Sequence, residues 1–373
     1  MNSAMTRGKG RRGRGAVSNR EGRFATQRVV PPEDLGEMFE EEPARLVTTV
    51  TPEATRTIIT RNDSPDIPFD RSINPYKGCE HGCVYCFARP THSFLGLSPG
   101  LDFESRIFSK PDAARLLRRE LRRPGYRCAP IALGSNTDPY QPVERELRIT
   151  RDLLGVLAEH RHPATIVTKS EGVLRDLDLL QPMARDRLVS VMLSITTLDR
   201  TLARRMEPRA AAPERRLAAI RALREAEVPV GVLASPMIPG LNDAELEAIL
   251  QAAAAAGARS AGYILLRLPH ELKELFSEWL ASSYPLKAKH VLSLIRQAHG
   301  GRLYDGAFGA RMRGDGPHAG ILQRRFEVAR RRSGLDSAPA PLDTARFRVP
   351  AAPGDQLALF GDGPKMGRSG PRH

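Results

Sequence analysis

Cysteine and long apolar segments are both scarce in this chain. Its 373 residues include only 4 cysteines, too few for the disulfide scaffold of a small secreted protein. The longest apolar-looking run, residues 228–241, is interrupted by three prolines, so we expect no membrane span. The basic N-terminus is not followed by an apolar segment, so it lacks the pattern of a secretory signal. Together these absences favour a cytoplasmic protein, in which clustered thiols act as metal ligands or catalytic groups.

Positive charge is concentrated at the start of the chain. The formal net charge is +14, and residues 1–30 hold eight Lys or Arg against one Glu. Such a Gly- and Arg-rich segment cannot bury enough apolar surface to fold. We therefore predict a disordered basic leader over residues 1–55, and a disordered Pro/Gly-rich tail over residues 336–373. A mobile basic arm suits nucleic-acid phosphates through counterion release, while a solubilising or targeting tail is the alternative.

Between these ends, apolar strands alternate with amphipathic helices. The sequence predicts strands over 129–134, 164–169, 188–196, 228–237 and 260–268, and helices over 143–160, 171–184, 213–227 and 242–257, the last capped by Asn242. This alternation predicts an α/β fold with a parallel sheet. About six such units fit a partial (βα)6 TIM-like barrel over residues 56–335. In a barrel of this kind the chemistry lies at the C-terminal ends of the strands.

Three of the four cysteines fall within eight residues. Cys79, Cys83 and Cys86 have the spacing CxxxCxxC. Three thiolates on one loop can bind a [4Fe–4S] cluster and leave one iron with an open position, because such a cluster normally takes four thiolates. Zinc is the main alternative, although structural zinc sites favour four ligands and only His81 and His92 lie nearby.

The stretch NPYKGCEHGCVYCFARP, residues 74–90, resembles the hallmark of the radical S-adenosylmethionine (SAM) superfamily, which has an aromatic before its last cysteine, here Tyr85. The resemblance implies that Cys79, Cys83 and Cys86 hold a [4Fe–4S] cluster whose free iron binds SAM. One electron, from a donor such as flavodoxin or ferredoxin, would then cleave SAM to a 5′-deoxyadenosyl radical. That radical takes a hydrogen atom from the substrate.

Further segments narrow the resemblance to one branch. Residues 62–92, 134–151, 167–170, 175–180, 194–199 and 207–216 are similar to the DNA repair photolyases, which are relatives of spore photoproduct lyase. The similarity covers roughly residues 55–335. It implies a lyase-like reaction on nucleic acid, with DNA repair as the setting.

The same branch implies cofactor contacts outside the cysteines. Tyr85 is expected to present its backbone to the adenine, and Thr137 stands where a hydroxyl touches the cofactor. Lys169 matches a lysine near the methionine carboxylate, and Ser194 matches a serine at the following strand end. Arg209 is a weaker candidate, either to bind a carboxylate through both guanidinium nitrogens or to form an ion pair with Glu207. The alternative is that Lys169 is a surface lysine and Ser194 a capping residue.

One position departs from the lyase. Ser135 stands where the lyase has a cysteine that returns a hydrogen atom to the product radical. A serine O–H bond is much stronger than a thiol S–H bond, so Ser135 cannot take that part. Cys128 lies upstream of the predicted strand, at the wrong end of the barrel. The sequence therefore argues against assuming repair of the spore photoproduct itself.

The C-terminal tail contains a short recognition-like motif. The arrangement Q-L-x-L-F comprises Gln356, Leu357, Leu359 and Phe360. It resembles the peptide by which bacterial repair and replication proteins dock on the DNA sliding clamp. Apolar side chains in an extended tail suit apolar pockets on a partner, with glutamine fixing the register. A segment that packs back on its own barrel is the alternative.

Two other functional classes stay open at this stage. The same radical chemistry could act on a protein, a tRNA or a small molecule. A zinc-stabilised, non-enzymatic DNA-binding module is the third alternative, and metal analysis would separate it from the two enzymes.

Overall fold

The computed structural model describes residues 13–24, 46–337 and 341–351. The strands are β1 (Thr49–Pro52), β2 (Ile59–Arg61), β3 (Arg71–Ile73), β4 (Tyr76–Lys77), β5 (Arg106–Ser109), β6 (Ile131–Leu133), β7 (Ala164–Thr168), β8 (Val189–Ser194), β9 (Val230–Met237) and β10 (Ser260–Leu265). The helices are α1 (Leu101–Ser105), α2 (Ala113–Leu121), α3 (Glu144–Leu147), α4 (Ile149–Glu159), α5 (Leu177–Arg185), α6 (Arg200–Met206), α7 (Pro213–Glu225), α8 (Leu246–Ala255), α9 (Leu272–Ser283), α10 (Pro285–Ala298), α11 (Ala310–Arg313) and α12 (Pro317–Arg332). Short 3-10 turns cover Arg89–Leu95, Glu171–Asp176, Asp243–Glu245 and Thr344–Arg346.

Six parallel strands form the centre of the molecule. The larger sheet has the order β10-β9-β8-β7-β6-β3-β2, in which every neighbouring pair from β3 to β10 is parallel and β2 is antiparallel to β3. The parallel strands follow chain order, with helices between them. This confirms the predicted α/β fold with a parallel sheet. The C-terminal ends of all six strands therefore meet along one rim.

The strands are buried because they are apolar. The main core contains one fully buried residue from each of four strands: Ile131, Ile166, Val191 and Val232. Apolar segments of this kind are typical of strands in a parallel sheet, which is why the sequence predicted them. The smaller sheet has the order β1-β5-β4, and its strands come before β6 in the chain, on either side of β2 and β3. Across the described residues, no helix is both long enough and apolar enough to cross a membrane.

Two predicted helices differ in detail. The helix predicted over 143–160 is divided at Arg148, whose φ of 53° places it in the left-handed region between α3 and α4. Asn242 does not cap the next predicted helix. Its side chain instead accepts from the Ile238 N–H at 2.6 Å and donates to the Thr196 carbonyl at 2.7 Å, so it joins β9 to the end of β8.

The prediction of a disordered leader is wrong for two of its stretches. Residues 13–24 pack on the folded core, where Ala16 is buried. Residues 49–52 form β1, which pairs in parallel with β5. The Gly- and Arg-rich residues 13–24 are ordered because buried acceptors on the core bind their backbone and side-chain N–H groups. The remainder of residues 1–45 lies outside the described residues.

The prediction of a disordered tail is likewise wrong for residues 341–351. The Phe347 ring lies 5.5 Å from the Tyr126 ring and 5.4 Å from the His162 ring, measured between centroids. The Arg348 N–H donates to the His160 carbonyl at 3.0 Å. One aromatic side chain thus anchors a Pro- and Ala-rich segment. The clamp-like residues Gln356, Leu357, Leu359 and Phe360 lie outside the described residues.

Candidate active site

The three clustered cysteines lie on the loop that follows β4. The loop is held by backbone hydrogen bonds: the Cys79 N–H donates to the Phe103 carbonyl at 2.9 Å, and the Val84 N–H donates to the Met206 carbonyl at 2.9 Å. Cys83 packs into a second apolar core with residues of α6, α9 and α10. Residues 78–88 are therefore a packed part of the structure, and we call them the cysteine loop.

All three thiols of the cysteine loop line one cavity at the C-terminal rim of the parallel strands, here called the thiol cavity. It is lined by Cys79, His81, Cys83, Tyr85, Cys86, Phe87, Gly134, Ser135, Asn136, Asp138, Lys169, Ser194, Leu233, Ser235, Pro236, Ile264, Leu265 and Arg267. Each strand from β6 to β10 contributes residues at or near its C-terminal end. This is the rim at which the sequence predicted the chemistry.

The environment of the thiols disfavours free thiolates. Burial, followed by the charge of Asp138, raises the pKa of Cys79, and burial and Glu207 raise the pKa of Cys83 to about 12. Burial also raises the pKa of Cys86. All three cysteines are free of disulfides. Metal ligation requires the thiolate form, so a bound cation would have to offset this burial.

The thiols do not converge on one point. Among the described residues, no group of three Cys, His, Asp or Glu side chains is close enough together to hold a single metal ion. A [4Fe–4S] cluster makes a different demand, because each of three irons at separate corners takes one thiolate. Three thiols that line one cavity are compatible with that larger group.

A buried ion pair supports the cysteine loop from beneath. The Arg89 guanidinium donates to the Glu104 carboxylate, and neither side chain is exposed. Arg89 also donates to the carbonyls of Cys83 at 2.8 Å and Gly82 at 3.1 Å. At Gly82, φ is +68° and a Cβ would lie 2.8 Å from the Glu104 carboxylate, so only glycine fits without displacing the pair.

The N-terminal segment completes this support. The backbone N–H groups of Gly15 and Ala16 donate to the Glu104 carboxylate at 2.9 and 2.8 Å. Gly15 approaches Gly82 so closely that a Cβ would lie 1.8 Å from the Gly82 carbonyl oxygen. Residues 13–24 therefore form a strap across the back of the cysteine loop, and we call them the N-terminal strap.

Gln141 fixes the front of the loop. Its side chain accepts from the Glu80 N–H at 2.9 Å and donates to the Gly78 carbonyl at 3.1 Å, and it is fully buried. An amide can satisfy an N–H and a carbonyl at once, which a carboxylate or an ammonium cannot do. Gln141 thus ties the loop after β6 to both sides of Cys79.

Asp138 joins the cysteine loop to β7. Its carboxylate lies 3.4 Å from His81 Nδ1 and accepts from the Thr168 hydroxyl at 2.7 Å and the Lys169 N–H at 2.8 Å. Burial alone would raise the pKa of Asp138, but these partners, with His81 foremost, lower it to about 2. Asp138 is therefore a fixed anion in the wall of the thiol cavity.

A second buried ion pair orients Tyr85. The Tyr85 hydroxyl donates to Glu207, whose other oxygen accepts from Arg216. Arg216 also donates to the Ser194 carbonyl at 3.0 Å. This corrects the suggested Glu207–Arg209 pair: Arg209 instead lies 3.0 Å from Glu80. The reason is burial, because Glu207 needs a partner inside the core and Arg209 stays partly exposed.

The structure places the predicted cofactor-binding residues unequally. Tyr85, Lys169 and Ser194 line the thiol cavity, and Lys169 Nζ lies 5.8 Å from the centre of the Tyr85 ring. Thr137 is buried and donates its hydroxyl to the Tyr76 carbonyl at 3.1 Å, so it braces β4 and is not part of the cavity wall. Arg209 lines a neighbouring pocket.

Ser135 and Cys128 lie at opposite ends of β6. Ser135 follows the strand and lines the thiol cavity, whereas Cys128 precedes the strand and is absent from the cavity wall. Burial raises the pKa of Cys128 to about 11. Cys128 therefore cannot replace the cysteine that the lyase has at the position of Ser135.

The sequence did not predict the buried charged residues that hold the cysteine loop in place. Arg89, Glu104 and Arg216 were not singled out, because charged residues are usually exposed. A signal existed for two of them: Arg89 lies three residues after Cys86, and Arg216 lies within residues 207–216, which resemble the family. Nothing in the sequence around Glu104 indicated its role.

The sequence of this chain is similar to one family model and to curated relatives. The family model of the radical SAM superfamily matches residues 73–253. An uncharacterized protein of Mycobacterium tuberculosis is 39% identical over 303 residues, covering 79% of this chain and 83% of its own. An uncharacterized protein of Methanocaldococcus jannaschii is 30% identical over 46% of this chain and 62% of its own.

Solved structures share the fold. One structure of spore photoproduct lyase has a TM-score of 0.55 at 19% identity, covering 81% of this chain and 85% of that chain. Another, with bound SAM and the dinucleoside spore photoproduct, has a TM-score of 0.54 at 17% identity, covering 76% and 78%. The fold, the cysteine loop and the family match define a radical SAM protein. The chain belongs to the radical SAM superfamily.

Proposed function

We propose that this chain is an enzyme that cleaves SAM reductively with a [4Fe–4S] cluster and acts on nucleic acid in a DNA-repair-like lyase reaction. The observation that carries the proposal is that Cys79, Cys83 and Cys86 all line the thiol cavity. Each would supply one thiolate to the cluster. When bound, the cluster would supply the single electron that cleaves SAM to methionine and a 5′-deoxyadenosyl radical.

The protein's own groups would bind and shield SAM. Lys169 Nζ has no carboxylate partner among the described residues, so it is available to the methionine carboxylate. Ser194 adds a hydroxyl to the same wall, and the Tyr85 backbone would meet the adenine. The apolar residues Leu233, Pro236 and Ile264 would exclude water from the reacting atoms.

Two observations support nucleic acid as the substrate. The fold neighbour with bound ligands holds a dinucleoside lesion, and this chain has a net charge of +14. A strongly basic surface favours phosphate backbones. With Ser135 in the cavity wall, the proposed reaction is not repair of the spore photoproduct by a thiol at that position.

A low-potential protein such as flavodoxin or ferredoxin in the cytoplasm would be the electron donor.

The direct test is formation of 5′-deoxyadenosine after anaerobic reconstitution. The protein is supplied with SAM and dithionite, either alone, with intact DNA or with irradiated DNA. We expect 5′-deoxyadenosine in each case and a faster rate with irradiated DNA. Formation that does not respond to DNA but responds to a protein, tRNA or small-molecule fraction would replace the nucleic-acid substrate with one of those classes.

The tail motif adds a proposed partner. We infer that Gln356, Leu357, Leu359 and Phe360 bind the bacterial sliding clamp, because a glutamine followed by three apolar side chains suits a shallow apolar pocket. The test is binding of a peptide of residues 352–363 to purified clamp, with the Phe360→Ala peptide as the control. Equal binding of the two peptides, or none by either, would remove this partner.

A further inference from the structure

A concave surface beside the cysteine loop holds arginines that the proposed chemistry does not use. Its wall includes Arg145, Arg209 and Arg215, together with Ser170, Glu171 and His81. We call it the arginine pocket. His81 also lines the thiol cavity, so the two spaces share a lining residue.

The arginine pocket lies on the same rim as the thiol cavity. Arg145 belongs to the connection after β6, Ser170 follows β7, and Arg209 belongs to the connection after β8. Loops after the C-terminal ends of barrel strands are the usual place for substrate-binding groups. The arginine pocket and the thiol cavity thus share this rim as well as the His81 side chain.

Positive charge in the pocket exceeds negative charge. Arg145 is exposed and forms no ion pair within the described part of the chain. Arg209 is paired with the buried Glu80, yet 35% of its side chain stays exposed. Arg215 pairs with Glu171 at the surface. Three guanidinium groups thus face two carboxylates, one of which lies beneath the pocket wall.

The N-terminus of a helix adds to the positive electrostatic potential of the arginine pocket. α7 begins at Pro213, and its 13 residues direct their N-terminal end toward the pocket wall formed by residues 210–212. Ala212 provides no side-chain hydrogen bond to the first turn. The partial positive charge of a helix N-terminus favours an anion, and here it acts together with the independent arginine cluster.

We propose that the arginine pocket binds a backbone phosphate of the nucleic-acid strand whose base enters the thiol cavity. This inference rests on the proposed nucleic-acid substrate. Guanidinium groups bind phosphate oxygens through paired N–H donors, and phosphate contacts position a strand without reading its sequence. The pocket would hold the strand beside the cavity, and the cavity would select the base.

The test compares Arg145→Ala, Arg215→Ala and their double variant with Arg221→Ala. Arg221 is exposed on the same helix as Arg215 but lies outside the pocket wall. Its substitution therefore removes one positive charge without changing the pocket. Fluorescence anisotropy measures binding of a labelled DNA duplex between about 50 and about 200 mM salt. The visible spectrum of each reconstituted variant reports whether the cysteine loop is intact.

We expect the double variant to reduce the steepness of log K against log salt by about 0.9, the value for one lost phosphate contact, and each single variant to reduce it by part of that amount. Arg221→Ala should keep the slope of the wild type. Arg145→Lys should keep the slope as well, but bind DNA more weakly, because lysine lacks the two-pronged donor.

Each of the following results would overturn the assignment. Arg221→Ala could change the slope as much as the pocket variants do, or no variant could change it. Alternatively, the pocket variants could keep DNA binding but lose reduction by an acidic electron-donor protein, which would make the pocket a donor site. If wild-type protein cleaves SAM and does not bind DNA at all, the proposed substrate fails along with the pocket. If it binds DNA with a slope independent of the pocket, only the pocket assignment fails.

Discussion

Arg89 and Glu104 form an ion pair directly beneath the cysteine loop, and neither side chain reaches solvent. Glu104→Ala would leave the Arg89 charge buried and unpaired, and would remove the acceptor of the Gly15 and Ala16 N–H groups. Breaking one partner of a buried pair costs about 3–5 kcal/mol. We expect a loss of that order in the free energy of unfolding in urea, with loss of iron after reconstitution.

The matched control for that variant is Glu159→Ala. Glu159 pairs with Arg118 at the surface, where about half of each side chain is exposed. An exposed pair contributes about 0–1 kcal/mol, so this variant should unfold almost like the wild type. Equal losses in the two variants would contradict the special role of the buried pair.

Removal of the N-terminal strap should loosen the cysteine loop. A chain that starts at residue 25 lacks the contacts of Arg14, Gly15 and Ala16 with Glu104, and its reconstituted cluster should be lost faster in air than that of the full chain. Bleaching of the visible absorbance measures this rate. A chain that starts at residue 13 is the control, because it keeps every one of these contacts. Identical bleaching of the two truncated chains would show that the strap is dispensable.

Lys169→Met should weaken SAM binding without affecting the cluster. A hydrogen bond to a charged group contributes about 1.5–3 kcal/mol, which corresponds to a loss of roughly tenfold or more in affinity. Isothermal titration of the reconstituted protein with SAM measures the loss, and the iron content should stay that of the wild type. Lys169→Arg keeps the charge and should recover part of the affinity. Unchanged binding by the Met variant would place the methionine carboxylate elsewhere.

The sequence predicted the alternating α/β order well because every central strand is apolar. β7 and β8, for example, lie within one or two residues of their predicted bounds. It also predicted the cysteine loop, since three thiols at short spacing carry their own signal. These features depend on local composition, which a single sequence displays directly.

The sequence did not predict the ordered ends or the buried charges. The N-terminal strap is polar and Gly-rich, and it is ordered only because Glu104, about ninety residues away, accepts its N–H groups. Arg209 was assigned to its neighbour Glu207, but the fold brings Arg216 there instead. Pairings between residues distant in the chain depend on tertiary packing, which local patterns do not encode.

Acid should destabilise the protein through His162. Burial lowers the pKa of His162 to about 4, and its ring accepts from the Tyr126 hydroxyl at 2.8 Å. In the unfolded chain the pKa is about 6.5, so below that pH the unfolded state binds a proton that the folded state does not. The free energy of unfolding therefore falls as the pH drops from about 6.5 toward about 4, by about 2 kcal/mol at pH about 5 from this residue.

The His162→Gln variant isolates this contribution. Glutamine can keep a hydrogen bond to Tyr126 and does not titrate, so its stability should vary less with pH than that of the wild type. Chemical unfolding at several pH values measures the difference between the two proteins. A constant difference from pH about 7 to pH about 5 would show that His162 does not carry this linkage.

The cysteine series tests the central claim most directly. Cys79→Ala, Cys83→Ala, Cys86→Ala and Cys128→Ala are each reconstituted without oxygen and assayed for iron, visible absorbance and 5′-deoxyadenosine under dithionite. The account predicts that the first three variants stay colourless and leave SAM intact, whereas Cys128→Ala keeps both the cluster and SAM cleavage. Loss of the cluster in Cys128→Ala, its retention in any of the other three, or a colourless wild-type protein that leaves SAM uncleaved would contradict it.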